Sequence, residues 1–267
     1  MHNRRLLAIL VAFAASASLP ATTSAQATGD QARLIFTLSG GIVGGKKLWS
    51  VSAQPVQVTD PADILALERR VRSTLAVALG ASYFPRDHFG LTAEGFLIGL
   101  GYEDNCSQVF SSGLALVTAA CQAIDASQRR ATAVIVSAGP IFRVSSRKAL
   151  SPYLRLNAGL VFSNQSSLRM TGEFPSPAGP VNLIIYSDDR ESRVDPSFAL
   201  GAGFTAAVAR GYQLRWELRD NLIPINRVTG PAAVAGTMPP HERQFKHILS
   251  MTIGVDVVLE RRKGKRY

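Results

Sequence analysis

The run Gly40-Gly41-Ile42-Val43-Gly44-Gly45-Lys46-Lys47 comes close to a phosphate-binding loop. That chemistry needs glycines whose backbone N–H groups cradle phosphates, then a lysine, then a Ser or Thr hydroxyl for magnesium at the start of a helix. Here Lys47 stands where the hydroxyl belongs, and Leu48 to Val58 reads as a strand or loop. A glycine-rich strand end opening into a loop fits better, so no nucleotide or other cofactor is expected. A Ser–His pair for nucleophilic hydrolysis is the second candidate. Beyond residue 27 the histidines are His88, His241 and His247. His247 and Ser250 are near in sequence, but a separation of three places them on opposite faces of one strand. His247 is expected at a barrel rim and His241 in a loop. No catalytic residue is assigned, and the chain is expected not to be an enzyme.

Cys106 and Cys121 are the only two cysteines. With no histidine nearby they make a poor metal site, and no metal is expected. In an exported chain they are expected to form one disulfide, two free thiols being the alternative.

Export is suggested by the N-terminus. Arg4 and Arg5 precede a short apolar run, Leu6 to Leu19, and Ala25-Gln26-Ala27 offers a small-x-small cleavage site. That order predicts a cleaved signal peptide over residues 1–27, the run being short for a membrane anchor. No later segment is apolar enough for a spanning helix. The formal charge of +10 falls to +8 without Arg4 and Arg5. Residues 260–266 alone carry +4, from Arg261, Arg262, Lys263, Lys265 and Arg266 against Glu260, whereas the long connections described below are together slightly acidic. Nucleic-acid binding would want a basic stripe with stacking aromatics, so no nucleic acid is expected.

Eight segments alternate with period two between turn residues. They are Arg33–Val43, Arg72–Phe84, Phe89–Tyr102, Thr132–Phe142, Pro152–Phe162, Ser197–Val208, Tyr212–Leu222 and Phe245–Leu259. Three connections are short, at residues 85–88, 143–151 and 209–211. Four are long, at 44–71, 103–131, 163–196 and 223–244. Short and long alternate around the chain, as periplasmic turns and external loops do in a membrane barrel. Within the long connections, Asp60-Pro61 followed by Ile64, Leu65, Leu67 and Val71 predicts a short capped helix. Leu48–Val58 is demoted as a strand by Pro55. Val181–Tyr186 could pair with Leu168–Phe174 as a hairpin above the membrane. A ten-stranded barrel is the alternative count.

The two faces of these segments differ. Leu154, Leu156, Leu214, Trp216, Leu218, Leu249, Met251 and Ile253 share the bulky apolar side. The opposite side is small, with charges of both signs: Glu94, Arg155, Arg215, Glu217, Arg219 and Asp256. With the apolar side facing lipid, the small side fills a narrow lumen, and its charges should pair across it. Tyr83, Phe84, Phe89, Tyr102, Phe142, Tyr153, Tyr212 and Phe245 lie near strand ends and are expected in interfacial girdles.

The loop alternation, the Val136-Ser137-Ala138-Gly139-Pro140-Ile141-Phe142-Arg143 strand end and the closing His247–Val255 strand resemble the small bacterial outer-membrane β-barrels of the OmpA and OmpX kind. The resemblance covers Arg33 to Leu259. It implies an all-β, antiparallel transmembrane barrel over residues 28–259 with a basic tail at 260–267. It also implies residence in the outer membrane in contact with its lipid, insertion by the barrel-assembly machinery, and a structural or surface-interaction role. Such barrels commonly end on an aromatic that closes the last strand, and here Glu260 to Arg266 intervene before Tyr267. A small pore or ligand-binding barrel is the alternative, ahead of a lipid-modifying enzyme or a soluble lipocalin-like carrier. The partner of the external loops is not legible.

Overall fold

A computed structural model of the chain describes residues 33–57, 61–126, 128–129, 131–144, 149–164, 166–176, 179–188 and 193–260. The expected signal segment 1–27 lies outside them, as does the expected tail 260–267 except for Glu260. Eight strands form a closed antiparallel barrel: β1 (Arg33–Val43), β4 (Thr74–Phe84), β5 (Phe89–Gly99), β8 (Thr132–Arg143), β9 (Leu150–Ser163), β12 (Arg193–Ala209), β13 (Tyr212–Val228) and β14 (His241–Glu260). Closure comes from β1, which pairs with β4 on one side and β14 on the other, so the barrel has no free edge. The barrel strands coincide with the eight periodic segments, and the ten-stranded alternative is not the one adopted.

Parity decides which side chains face out. Leu79, Leu91, Leu156, Leu218 and Ile253 are exposed, while Thr37, Glu94, Ser137, Asn157 and Asp256 on the alternate positions are buried. A closed barrel with leucine outside and polar groups inside has the solvation of a membrane-spanning barrel, since the outward surface suits hydrocarbon and every strand is paired. Tyr83, Phe89, Phe142 and Tyr212 project outward beside the short turns, and Phe162, Phe198 and Phe245 do so at the opposite rim. Three of the expected girdle residues point inward instead. Phe84 and Tyr153 have the parity of the lumen residues on their strands, and Tyr102 is buried above the barrel.

Among the described residues, the long connections hold six further strands and one helix. β2 (Lys46–Val56), β3 (Asp63–Val71), β6 (Tyr102–Phe110) and β7 (Gln128–Arg129) form one sheet, and β10 (Met170–Ser176) pairs with β11 (Gly179–Tyr186) as the expected hairpin. Helix α1 spans Ala115–Ala126. Residues 63–71 are therefore a strand, not the short helix expected from Asp60-Pro61. Asp63, Leu65, Leu67, Arg69 and Val71 alternate inward, and pairing to both β2 and β6 outweighs the local helical spacing. The third periodic segment likewise ends at Gly99, and Tyr102 begins β6. Pro55 sits in β2, the outer strand of its sheet, a place where proline is tolerated.

These pieces make one folded cap. Leu48, Trp49, Leu65, Leu67, Val117, Ile124, Leu168, Met170, Ile185 and Tyr186 share a core that runs on into Phe96, Ile98, Ile135, Val161 and Ile248 at the top of the barrel interior. The upper lumen is thus apolar, where small residues were expected. Polar ties cross between connections. The Trp49 Nε1–H donates to the Ser167 carbonyl (3.1 Å), Ser167 Oγ to the Asn226 carbonyl (3.0 Å), and the Ala232 N–H to Gln54 Oε1 (2.7 Å). Cys106 on β6 and Cys121 on α1 are joined by a disulfide, with 5.3 Å between their Cα atoms.

A charge ring across the barrel lumen

All six charged residues expected in the lumen point into it, each no more than 6% exposed. β5 and β13 are four places apart in the eight-strand order, so they face each other across the barrel, with β9 halfway between. Each strand contributes by parity: Glu94 from β5, Arg155 from β9, and Arg215, Glu217 and Arg219 from β13.

Four of them close a ring of alternating charge. Arg219 donates from Nη2 to Glu94 Oε2 at 2.9 Å and from Nη1 to Oε1 of the same carboxylate, a bidentate pair. Arg155 Nη1 reaches Glu94 Oε2 at 2.8 Å. Glu217 Oε1 accepts from Arg155 Nε at 2.9 Å and from Arg219 Nε at 2.8 Å. Each carboxylate therefore serves both arginines. A second cluster sits beside this ring: Arg215 Nη2 donates to Asp256 Oδ2 (2.9 Å), Thr37 Oγ1 donates to Asp256 Oδ1 (2.7 Å), and Arg215 Nη1 lies 3.9 Å from Glu217 Oε2.

Burying these ions is costly, and only complete pairing makes it tolerable. The second Glu217 oxygen accepts from the Tyr153 hydroxyl at 2.6 Å. Rings cover the guanidinium faces: Arg219 lies 4.3 Å from the Phe96 centroid and Arg215 4.8 Å from that of Tyr153. Space for the ring is made on β12. A Cβ on Gly201 would stand 2.9 Å from Glu217 Oε1 and 3.1 Å from Arg155 Cγ, and one on Gly203 would stand 2.9 Å from the Tyr153 hydroxyl. The small lumen residues of β12 are thus the complement of the long ones on the adjoining strands β9 and β13.

Tyr153, Thr37 and Phe96 were missed as parts of this site. For Tyr153 the signal was present, since it shares the parity of Arg155 two residues on. A second buried ion pair was missed too, in the cap. Arg69 donates from Nη2 to Asp104 Oδ2 (2.7 Å) and from Nη1 to the Ser167 carbonyl (2.9 Å), between the rings of Trp49 and Tyr102. Burial, before the neighbouring charges, holds the Tyr102 hydroxyl above the usual phenol range. Arg69 was invisible because its segment was read as a helix.

The histidines lie apart from the ring. His88 Nδ1 is 2.9 Å from the Arg143 carbonyl and His241 Nδ1 is 3.0 Å from the Pro239 carbonyl. His247 is exposed on the outer face of β14 and pairs with Asp220 at 2.6 Å, while Ser250 is buried on the lumen face. The odd separation thus keeps His247 and Ser250 apart.

No family model matches the sequence, and a search of curated proteins finds no match. Solved structures do align with it. The attachment invasion locus protein Ail of Yersinia pestis is 14% identical, with 86% of this chain and 100% of that one covered and a TM-score of 0.40. The outer-membrane protein OprG of Pseudomonas aeruginosa is 8% identical, covering 87% and 98%, with a TM-score of 0.43. The outer-membrane protease OmpT of Escherichia coli is 8% identical, covering 87% and 98%, with a TM-score of 0.36. Strand order, closure and the leucine-faced exterior of this chain give it, on their own, the fold of a small, eight-stranded outer-membrane β-barrel.

Proposed function

We propose that the protein is a closed, non-enzymatic barrel that presents a folded cap outside the cell, with a structural or surface-interaction role. The observation that carries this reading is two blocks stacked in the interior. An apolar core descends from the cap into the upper barrel, and below it the Glu94–Arg155–Glu217–Arg219 ring spans the lumen from β5 to β13. An eight-stranded barrel is just wide enough for side chains to fill it, and the ring reaches from one wall to the other. Lipid meets the outer wall, the barrel-assembly machinery inserts it, and the cap is the part that meets a partner.

The reading is tested on intact cells. A cysteine replacing Val234, 63% exposed in the fourth long connection, should be labelled by a membrane-impermeant maleimide. One replacing Arg86, in a short turn, should be labelled only after lysis. Labelling of Arg86→Cys in intact cells together with protection of Val234→Cys would reverse the orientation and end the proposal.

A further inference from the structure

The wall of the barrel is not zipped to the same height all round. The β12–β13 ladder stops at Phe198–Leu222. Above it β12 continues along β9 to the Arg193–Ser163 pair, and β13 continues along β14 to the Val228–His241 pair. The two strands therefore part, leaving residues 193–197 and 223–228 on either side of an open seam. A cavity of about 390 Å³ occupies that seam, lined by Arg193, Val194, Asp195, Asn226, His241 and Arg243.

We propose that this cleft binds the phosphate of a membrane lipid headgroup. Two guanidinium groups reach it from different strands, Arg193 from β12 and Arg243 from β14. Arg243 is bonded to Asp195 across the seam. Arg193 is held by Asp188, whose carboxylate accepts from Arg193 Nη2 at 3.0 Å and from Ser166 Oγ at 2.5 Å. Among the described residues its Nε has no hydrogen-bond partner, a donor left unsatisfied on an arginine that lines the cleft. The His241 ring donates from Nδ1 to the Pro239 carbonyl, so in the neutral ring Nε2 is an acceptor and the donors of the cleft are the two arginines. A phosphate, with three oxygens spread tetrahedrally, can take bonds from arginines on two sides at once, and arginine forks suit it.

Height on the barrel identifies the source as lipid rather than solute. Phe198 and Phe245, with ring centroids 6.3 Å apart, project outward at the foot of the seam. Arg243 is two residues above Phe245 on the same outward side, a rise of roughly 7 Å along a strand. Aromatic side chains of this kind mark the level where acyl chains give way to headgroups. A lipid with chains against Leu200, Leu249 and Met251 would thus carry its phosphate at the cleft. Asp188 and Asp195 offset the two arginines, so recognition rests on directed donors.

The test uses the refolded full chain in detergent, with lipid retention read by native mass spectrometry. Phosphatidic acid, phosphatidylcholine of the same chains, and inorganic phosphate are the probes. Phosphatidic acid should be retained about tenfold more tightly than phosphatidylcholine, the factor that one charge-assisted hydrogen bond supplies. Arg193→Gln with Arg243→Gln should abolish the preference. Arg227→Gln, on the other side of the hairpin, should leave it intact. If the double variant fails to show heat-modifiable migration, Arg193→Lys, which keeps the charge at Asp188 but loses Nε, should still reduce the preference severalfold. No preference in the wild type, or a preference retained in the arginine variants, would overturn the site. Inorganic phosphate binding as tightly as phosphatidic acid would overturn its assignment to lipid. None of these outcomes bears on whether the lumen is closed.

Discussion

Arg219 on β13 grips both carboxylate oxygens of Glu94 on β5, the strand diametrically opposite in the barrel. The contact is a strut across the lumen. Arg155 and Glu217 complete the ring around it, and no member keeps a side-chain exposure above 5%. Because each carboxylate serves two arginines, removing one acid leaves both arginines on a single carboxylate, with one positive charge in excess in a low-dielectric interior.

Glu217→Ala should therefore destabilise the barrel by about 3–5 kcal/mol, the usual cost of leaving buried charge unpaired. Glu173→Ala on the exposed hairpin should change stability little. Urea titration of the two variants refolded into the same bilayers gives the comparison. Equal midpoints would mean that the ring is not stabilising.

Gly201→Val tests the ring by crowding instead of deletion. The new Cβ would stand 2.9 Å from Glu217 Oε1 and 3.1 Å from Arg155 Cγ, side chains held in the ring from both adjoining strands. Overpacking of this kind costs about 1–3 kcal/mol. The same valine at Ala202, which faces outward on β12, should be tolerated. A loss at Ala202 matching that at Gly201 would show that the two faces had been exchanged.

Leu156→Arg and Ile253→Arg place a cation on the outward face, where arginine near the bilayer midplane costs about 2–4 kcal/mol. Both should lower the yield of folded, heat-modifiable protein in lipid vesicles. Wild-type yield from both would contradict the assignment of the leucine face to lipid.

Reducing the Cys106–Cys121 disulfide should loosen the cap and spare the barrel. The bridge closes a loop of 15 residues, worth at most about 3 kcal/mol. It ties α1 to β6, whereas the barrel ladder lies elsewhere. Hydrogen exchange should quicken in residues 115–126 on reduction and stay unchanged in β5 and β13. Loss of heat-modifiable migration on reduction would show instead that cap and barrel unfold together.

The barrel was legible because its side chains carry their own evidence of phase: Leu214, Trp216 and Leu218 against Arg215, Glu217 and Arg219 fix the inner and outer faces within one strand. The ring was legible as a set of residues for the same reason, though not as a geometry. Which arginine meets which acid depends on strand order around a closed sheet, and Glu94 and Arg219 are 125 residues apart. The cap resisted because its partners are non-local. Ile64, Leu65, Leu67 and Val71 have spacing that suits a helix until β2 and β6 are known to flank them. In α1 the helical spacing of Val117, Ala120, Cys121 and Ile124 was there to be read, but the long connections were treated as loops. Tyr153 and Phe84 show the opposite lesson. Their position near strand ends suggested a girdle, while their parity already placed them inside.

The central claim is that the lumen is filled, and bilayer recording tests it most directly. Purified, refolded protein should give no stable single-channel conductance. Glu94→Ala combined with Glu217→Ala, which removes both acids of the ring, should at most add brief, small openings, because the apolar core beneath the cap still closes the upper mouth. Large, long-lived openings from the wild-type protein would contradict the closed barrel and make the chain a pore.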